Sequence, residues 1–260
     1  MPVDVTLGDS PLILAIPHAG TDLVDSLRNR LNGSGQALKD TDWHVDRLYR
    51  DLVADTTTVR ARVHRYASDA NRDPSGASLY PGQNTTGLIP MTDFDGKEIW
   101  NLPPTTREQS TWCAAFHTPY HAALAAQIAR VRAQHGFAIL YDCHSIRSEI
   151  PHLFDGTLPD LNIGTFMGAS CDPQLADHVA TLCRNTPGYS TVVNGRFKGG
   201  WTTRHYGRPA TGVHALQMEL AQSTYLTEEA EPWLYNPDKA APLRALLRDI
   251  LTYLQSWRPA

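Results

Sequence analysis

Phe137-Ala138-Ile139-Leu140-Tyr141-Asp142-Cys143-His144-Ser145 is an apolar run that turns polar only towards its end. Such a run, without alternation, has the composition of a strand buried on both faces, as in the middle of a parallel sheet. A helical pattern precedes it. Trp112, Phe116, Tyr120, Leu124, Ile128 and Val131 recur every three or four residues between Glu108 and Gln134, and Gly136 ends the pattern. A helix followed directly by a buried strand is the alternation of an α/β protein. Pro11-Leu12-Ile13-Leu14-Ala15-Ile16-Pro17-His18-Ala19-Gly20 repeats the theme with a second short apolar run. In open α/β sheets, ligands bind just past the carboxyl ends of the strands. His18 and His144 are thus delivered to that edge from separate strands, and imidazole is a common metal ligand. Each histidine taken alone also has a plain structural reading, as a polar residue closing a strand.

Asn32-Gly33-Ser34-Gly35 reads as a turn. Asp42 precedes Val45, Leu48, Tyr49, Leu52 and Val53 at helical spacing, which places it near a helix N-terminus. Residues 59–66 alternate and predict a strand. From Asp69 to Asp95 periodicity vanishes. Leu79, Tyr80, Leu88, Ile89, Met91 and Phe94 give this stretch too much apolar content for disorder, so we expect an ordered loop over the site. Residues 151–173 read as irregular, 175–183 as a helix and 190–194 as a short strand. A glycine- and arginine-rich segment spans 194–209. Val213 to Leu220 is a further buried strand carrying Glu219, and Pro242 to Trp257 a closing amphipathic helix. There is no repeat and no linker, so one domain is expected over residues 1–260.

Composition narrows the function classes. The 260 residues are 42% hydrophobic, enough for a large core, and the formal net charge of −4 argues against a protein that coats nucleic acid. No apolar segment approaches the roughly 20 residues that span a bilayer, and the first residues lack the pattern of a signal peptide. Cys113, Cys143, Cys171 and Cys183 show no paired spacing, which fits free thiols in a reducing cytoplasm. Cys143, between Asp142 and His144, is also a candidate nucleophile.

A hydrolytic metal site usually has three protein ligands and an open position. With His18 and His144 as two, the third is sought among Asp42, Asp46 and Asp142. Asp42 could instead cap its helix, and Asp46 could lie on a solvated face. Asp142, on the same side of the strand as His144, could orient that ring rather than bind metal. Glu219 is a candidate base, because burial raises a carboxyl pKa towards neutrality; pairing with an arginine is the alternative. Arg72, Arg147, Arg196 and Arg204 fall in irregular segments, and arginine grips carboxylates in a two-pronged geometry, so an anionic small molecule is the expected ligand.

The chain resembles the N-formylglutamate amidohydrolase family. The resemblance is carried by Ile16-Pro17-His18-Ala19-Gly20, Asp40-Thr41-Asp42-Trp43-His44-Val45-Asp46-Arg47-Leu48-Tyr49, Asp69-Ala70-Asn71-Arg72 and Leu79-Tyr80-Pro81-Gly82-Gln83. It continues through Asp142-Cys143-His144-Ser145-Ile146-Arg147-Ser148, Leu158-Pro159-Asp160-Leu161-Asn162, Asn194-Gly195-Arg196-Phe197-Lys198-Gly199-Gly200, Thr203-Arg204-His205-Tyr206-Gly207-Arg208-Pro209 and Leu216-Gln217-Met218-Glu219-Leu220. The segments stand in the expected order from residue 11 to about residue 226. The resemblance implies an α/β fold similar to zinc carboxypeptidases, with a mixed, largely parallel sheet flanked by helices. It implies zinc, or another divalent transition metal, on His18, Asp42 and His144, with Glu219 as general base. Asn71, Arg72, Arg147 and Arg204 would hold a small dicarboxylate substrate. The implied reaction is hydrolysis of N-formyl-L-glutamate to formate and L-glutamate in histidine degradation, in the cytoplasm, with no nucleic-acid or membrane partner. Cys143 and Ala70 depart from the alanine and the larger aliphatic residue usual at those places. Two other readings stand beside this one: an amidohydrolase acting on another N-acylated amino acid or a peptidoglycan peptide, and a non-catalytic module that binds an anionic metabolite.

Overall fold

The computed structural model describes residues 1–79 and 82–259. Tyr80 and Pro81, which figure in the Leu79–Gln83 motif and the long loop, lie outside the described residues, as does Ala260. The elements begin with β1 (Val3–Thr6), β2 (Leu12–Ile16), α1 (Asp25–Arg28), α2 (Gly33–Gln36), α3 (Val45–Tyr49) and β3 (Thr57–Ala61). They continue with α4 (Thr106–Trp112), a π-turn (Cys113–His117), α5 (Thr118–His135), β4 (Ala138–Ile146) and β5 (Leu161–Gly164). The last are α6 (Pro173–Asn185), β6 (Thr191–Val193), α7 (Trp201–Tyr206), β7 (Val213–Ala221) and α8 (Pro237–Ser256).

Among the described residues the strands form one sheet in the order β1-β3-β2-β4-β7-β5-β6. The β3–β2, β2–β4, β4–β7 and β5–β6 pairings are parallel, while β1–β3 and β7–β5 are antiparallel. The sheet is therefore mixed and largely parallel, with helices on both faces. Strand alternation divides the core. Leu12, Leu14, Ile139, Tyr141 and Cys143 share one core with residues of α3, α6 and α8. Ile13, Ala15, Ala138 and Leu140 pack on the other face against Tyr120, Leu124 and Ile128 of α5. Central β4 and β7 are buried throughout, which is why their sequences read as unbroken apolar runs.

Several boundaries differ from the sequence reading. The strand expected over 59–66 is Thr57–Ala61, and the chain then leaves the sheet after one bridge between Val63 and Asp22. The Asn32–Gly35 turn is one helical turn capped by the Asn32 side chain. The long helix over 108–134 starts earlier, at a Thr105–Glu108 capping box, and is broken by the π-turn. The closing helix begins at Pro237, after the Asn236 cap, so Pro242 lies within it. The irregular 151–173 region contains β5, and α7 follows Gly199-Gly200 within the 194–209 segment.

Candidate metal and substrate site

Parallel pairing builds the site. β2 and β4 are neighbours, with Ala15 opposite Asp142, and β4 and β7 are neighbours, with His144 directly opposite Glu219. His18 lies two residues past the end of β2, so His18, His144 and Glu219 gather over three adjacent strand ends. The rings of His18 and His144 are 4.9 Å apart, centroid to centroid. Asp42 joins them from the loop before α3, where its N–H donates to the His18 carbonyl at 3.1 Å. One ligand-type atom from each of His18, Asp42 and His144 falls within 4.8 Å of the others, and all three residues are buried.

The alternatives to Asp42 are placed elsewhere. Asp46 is in the first turn of α3, paired with Arg60 at 3.4 Å and Arg50 at 3.6 Å. Asp142 lies behind His144, with Oδ1 3.1 Å from Nε2, while the Nδ1 of the same ring is 3.1 Å from Asp42 Oδ2. Asp42 does not cap α3: the N-cap is His44, in the left-handed region at φ 61°, and Asp42 Oδ2 instead accepts the Ser145 N–H at 3.1 Å.

Asp69, which sequence reasoning passed over, fixes the other ring. His18 Nε2–H donates to Asp69 Oδ1 at 2.7 Å. Burial would push the Asp69 carboxyl up, but the Arg65 and Arg72 guanidiniums and His18 outweigh it and hold its pKa well below the usual range. Burial, reinforced by the charge of Arg65, lowers the pKa of His18. His18 is thus a neutral imidazole with its proton on Nε2. Its Nδ1 lone pair is buried without a hydrogen-bond partner, 3.8 Å from Asp42 Oδ2. Carboxylates behind two imidazoles, one orphaned ring nitrogen and a buried aspartate form a donor set that fits a first-row divalent metal such as zinc.

The surroundings of His144 act the other way. Burial lowers its pKa, but Asp142, Asp42 and Glu219 together hold it well above the ordinary value. Glu219 is 6% exposed, accepts Gln217 Nε2–H on Oε2 at 3.0 Å and has no ion pair with an arginine among the described residues. Burial pushes its carboxyl above the usual range, against the pull of the neighbouring His144. Gln217 is itself held, because its Oε1 accepts the Gly200 N–H at 2.6 Å. Gly200 is required here, since a Cβ would collide with the Asn71 amide. Cys143 points to the opposite face, fully buried, and burial raises its thiol pKa well above the ordinary value, which leaves no thiolate for nucleophilic chemistry.

The cavity beside these groups is also lined by Arg65, Arg72, Asn71 and Arg196 and roofed by Asn84, Thr85 and Thr86 of the long loop. Arg65 bridges Asp69 and Asp42. Asn71 Nδ2 is 3.2 Å from His144 Nε2, and its Oδ1 accepts the Thr202 N–H at 2.9 Å. Arg147 and Arg204 do not line the cavity. Arg147 pairs with Asp95 at 2.9 Å, and Arg204 donates to the Gly199 and Leu79 carbonyls. Arg65 escaped the sequence reading because the 59–66 stretch reads as a strand; the one signal for it was its spacing of four residues from Asp69.

Comparison with known proteins agrees with this architecture. The profile of the family described as N-formylglutamate amidohydrolase matches residues 10–226. A Pseudomonas putida protein named N-formylglutamate deformylase is 48% identical over 255 residues, covering 96% of this chain and 94% of that protein. A Pseudomonas aeruginosa protein of the same name is 46% identical over 254 residues, with the same coverage of both. The crystal structure of N-formylglutamate amidohydrolase from Ralstonia eutropha JMP134 superposes with a TM-score of 0.81 at 25% identity, covering 97% of each chain. With a profile matched along most of its length and two close full-length relatives, the chain belongs to the N-formylglutamate amidohydrolase family.

Proposed function

We propose that this chain hydrolyses N-formyl-L-glutamate to formate and L-glutamate, a step of histidine degradation, using a divalent metal, zinc for preference, held by His18, Asp42 and His144. The observation that carries the reading is the meeting of this triad with buried Glu219 and Arg72 in one cavity, in a chain 48% identical to a protein named N-formylglutamate deformylase. A metal bound there supplies Lewis acidity, which acidifies water and polarises a carbonyl.

The protein groups do the rest. Asp69 holds the His18 tautomer, and Asp142 backs His144. Glu219, its Oε2 fixed by Gln217, takes a proton from the attacking water on its other oxygen. As the water oxygen bonds to the formyl carbon and the C–N bond breaks, Glu219 returns that proton to the departing nitrogen. Burial raises the basicity of this carboxylate, which favours the first transfer. Arg72 grips a substrate carboxylate with Asn71 beside it, and this anchorage sets the formyl carbon against the reacting groups.

Formate release from N-formyl-L-glutamate, N-formyl-L-aspartate and N-formyl-L-glutamine, with acetate release from N-acetyl-L-glutamate, tests the substrate assignment. We expect kcat/KM for N-formyl-L-glutamate to exceed the others by about tenfold or more, as one misfitted group costs. Equal or faster turnover of another member would contradict it.

A further inference from the structure

We propose that Arg196 is the residue that reads the second carboxylate of the substrate, the partner of Arg72 across the cavity. This rests on the proposed hydrolysis of an N-acylated dicarboxylate. The two guanidiniums line the same cavity, and both are fixed by the same short stretch of the roof. Arg72 Nε–H donates to the Thr86 carbonyl at 2.7 Å, and one Arg72 Nη2–H to Thr86 Oγ1 at 3.0 Å. Arg196 Nη2–H donates to the Asn84 carbonyl at 3.0 Å, and its Nε–H to the Leu153 carbonyl at 3.1 Å. Asn84 and Thr86 are two residues apart, so their carbonyls are separated by at most about 7 Å. The terminal carboxyl carbons of glutamate are separated by four carbon–carbon bonds, about 5 Å when extended. Two guanidiniums anchored this close together on one wall can address the two ends of such a molecule.

The surroundings of Arg196 match the rest of such a molecule. Leu153, Phe197 and Ile146 line the cavity beside it, an apolar wall for the methylene groups. The Asn84 and Leu153 carbonyls set the plane of the Arg196 guanidinium. The other arginines are differently placed. Arg65 lines the cavity but is bound to Asp69 and Asp42, while Arg147 is neutralised by Asp95 outside the wall. Arg204 stacks over Phe166 at 5.0 Å, also outside it.

Two measurements test the assignment. In steady-state kinetics, Arg196→Gln should raise KM for N-formyl-L-glutamate about 10- to 100-fold, the worth of a charged hydrogen bond. The effect on kcat should be small, and the variant should turn over N-formyl-L-glutamine as the wild type does. Equal losses on both substrates would make Arg196 a mere brace of the roof and overturn the proposal, as would no loss on either. Calorimetric titration of the metal-loaded protein with glutarate needs no turnover. Its affinity should fall in Arg196→Gln, recover in part in Arg196→Lys, and stay unchanged in Arg147→Gln. Glutarate affinity unaltered in Arg196→Gln, or absent in the wild type, overturns the assignment whatever the kinetics show. Arg196-dependent glutarate binding without formate release would instead sink the proposed hydrolysis and leave the assignment of Arg196 standing.

Discussion

Glu219 and Gln217 are two residues apart on β7, so their side chains share a face, and the amide of one steadies the carboxylate of the other. Glu219→Gln keeps the shape and the hydrogen-bonding neighbour but cannot move a proton. We expect kcat to fall by about 10²- to 10⁴-fold, the usual worth of general acid–base catalysis, while metal content per chain is unchanged. Full activity in this variant would remove Glu219 from the chemistry, and loss of metal would show it to be a ligand instead. At this scale the sequence was legible where a residue ended an apolar run, as with His18, His144 and Glu219. It was opaque where partners are remote: Asp69 touches His18 across 51 positions. Spacing alone left Asp42, Asp46 and Asp142 undivided, because which carboxylate faces the rings depends on how the loop before α3 folds under the sheet edge.

The π-turn between α4 and α5 shows what an element contributes to the site. It places His117 and His121 over the segment that carries Asn71 and Arg72. His117 Nε2–H donates to the Arg72 carbonyl at 3.0 Å and His121 Nε2–H to the Ala70 carbonyl at 2.7 Å, so two rings pin the backbone on either side of Asn71. His117→Ala should raise KM several-fold with little change in kcat. His117→Gln, whose amide N–H reaches about as far, should restore most of the loss. A His117→Gln variant no better than His117→Ala would show that packing, not the hydrogen bond, is what counts. The helix itself was legible because its apolar face repeats over many turns. The single extra residue of the π-turn was not, since it scarcely disturbs a three-and-four spacing. β5 was missed for a related reason: Leu161-Asn162-Ile163-Gly164 is buried throughout, yet half of it is polar or glycine because it lies against β7 beside the site.

Across the whole molecule, positioning the site costs acid stability. Burial drives the pKa of His121 down to about 3 and that of His64 well below its ordinary value. Both remain neutral in the folded chain while their unfolded counterparts take up protons below about pH 6.5. The stability they allow is therefore complete above pH 6.5 and lost as pH falls, at about 1.4 kcal/mol per pH unit for each ring. For His121 the loss continues towards pH 3. Unfolding by urea between pH 4 and 6 should show a slope against pH that is shallower by about that amount in His121→Gln than in the wild type; equal slopes would mean that His121 is protonated in the folded state. The sheet class was readable because the central strands are buried on both faces, whereas the antiparallel edges depend on pairings between distant segments. The roof formed by residues 84–86 is likewise a product of tertiary contacts, as arginines from two distant regions, Arg72 and Arg196, hold it in place. Metal analysis coupled to formate release probes in a single measurement whether this one cavity carries out a metal-dependent hydrolysis. We expect about one equivalent of divalent transition metal per chain, with formate release from N-formyl-L-glutamate that a chelator abolishes and added zinc restores. Undiminished formate release from protein stripped of metal would contradict it.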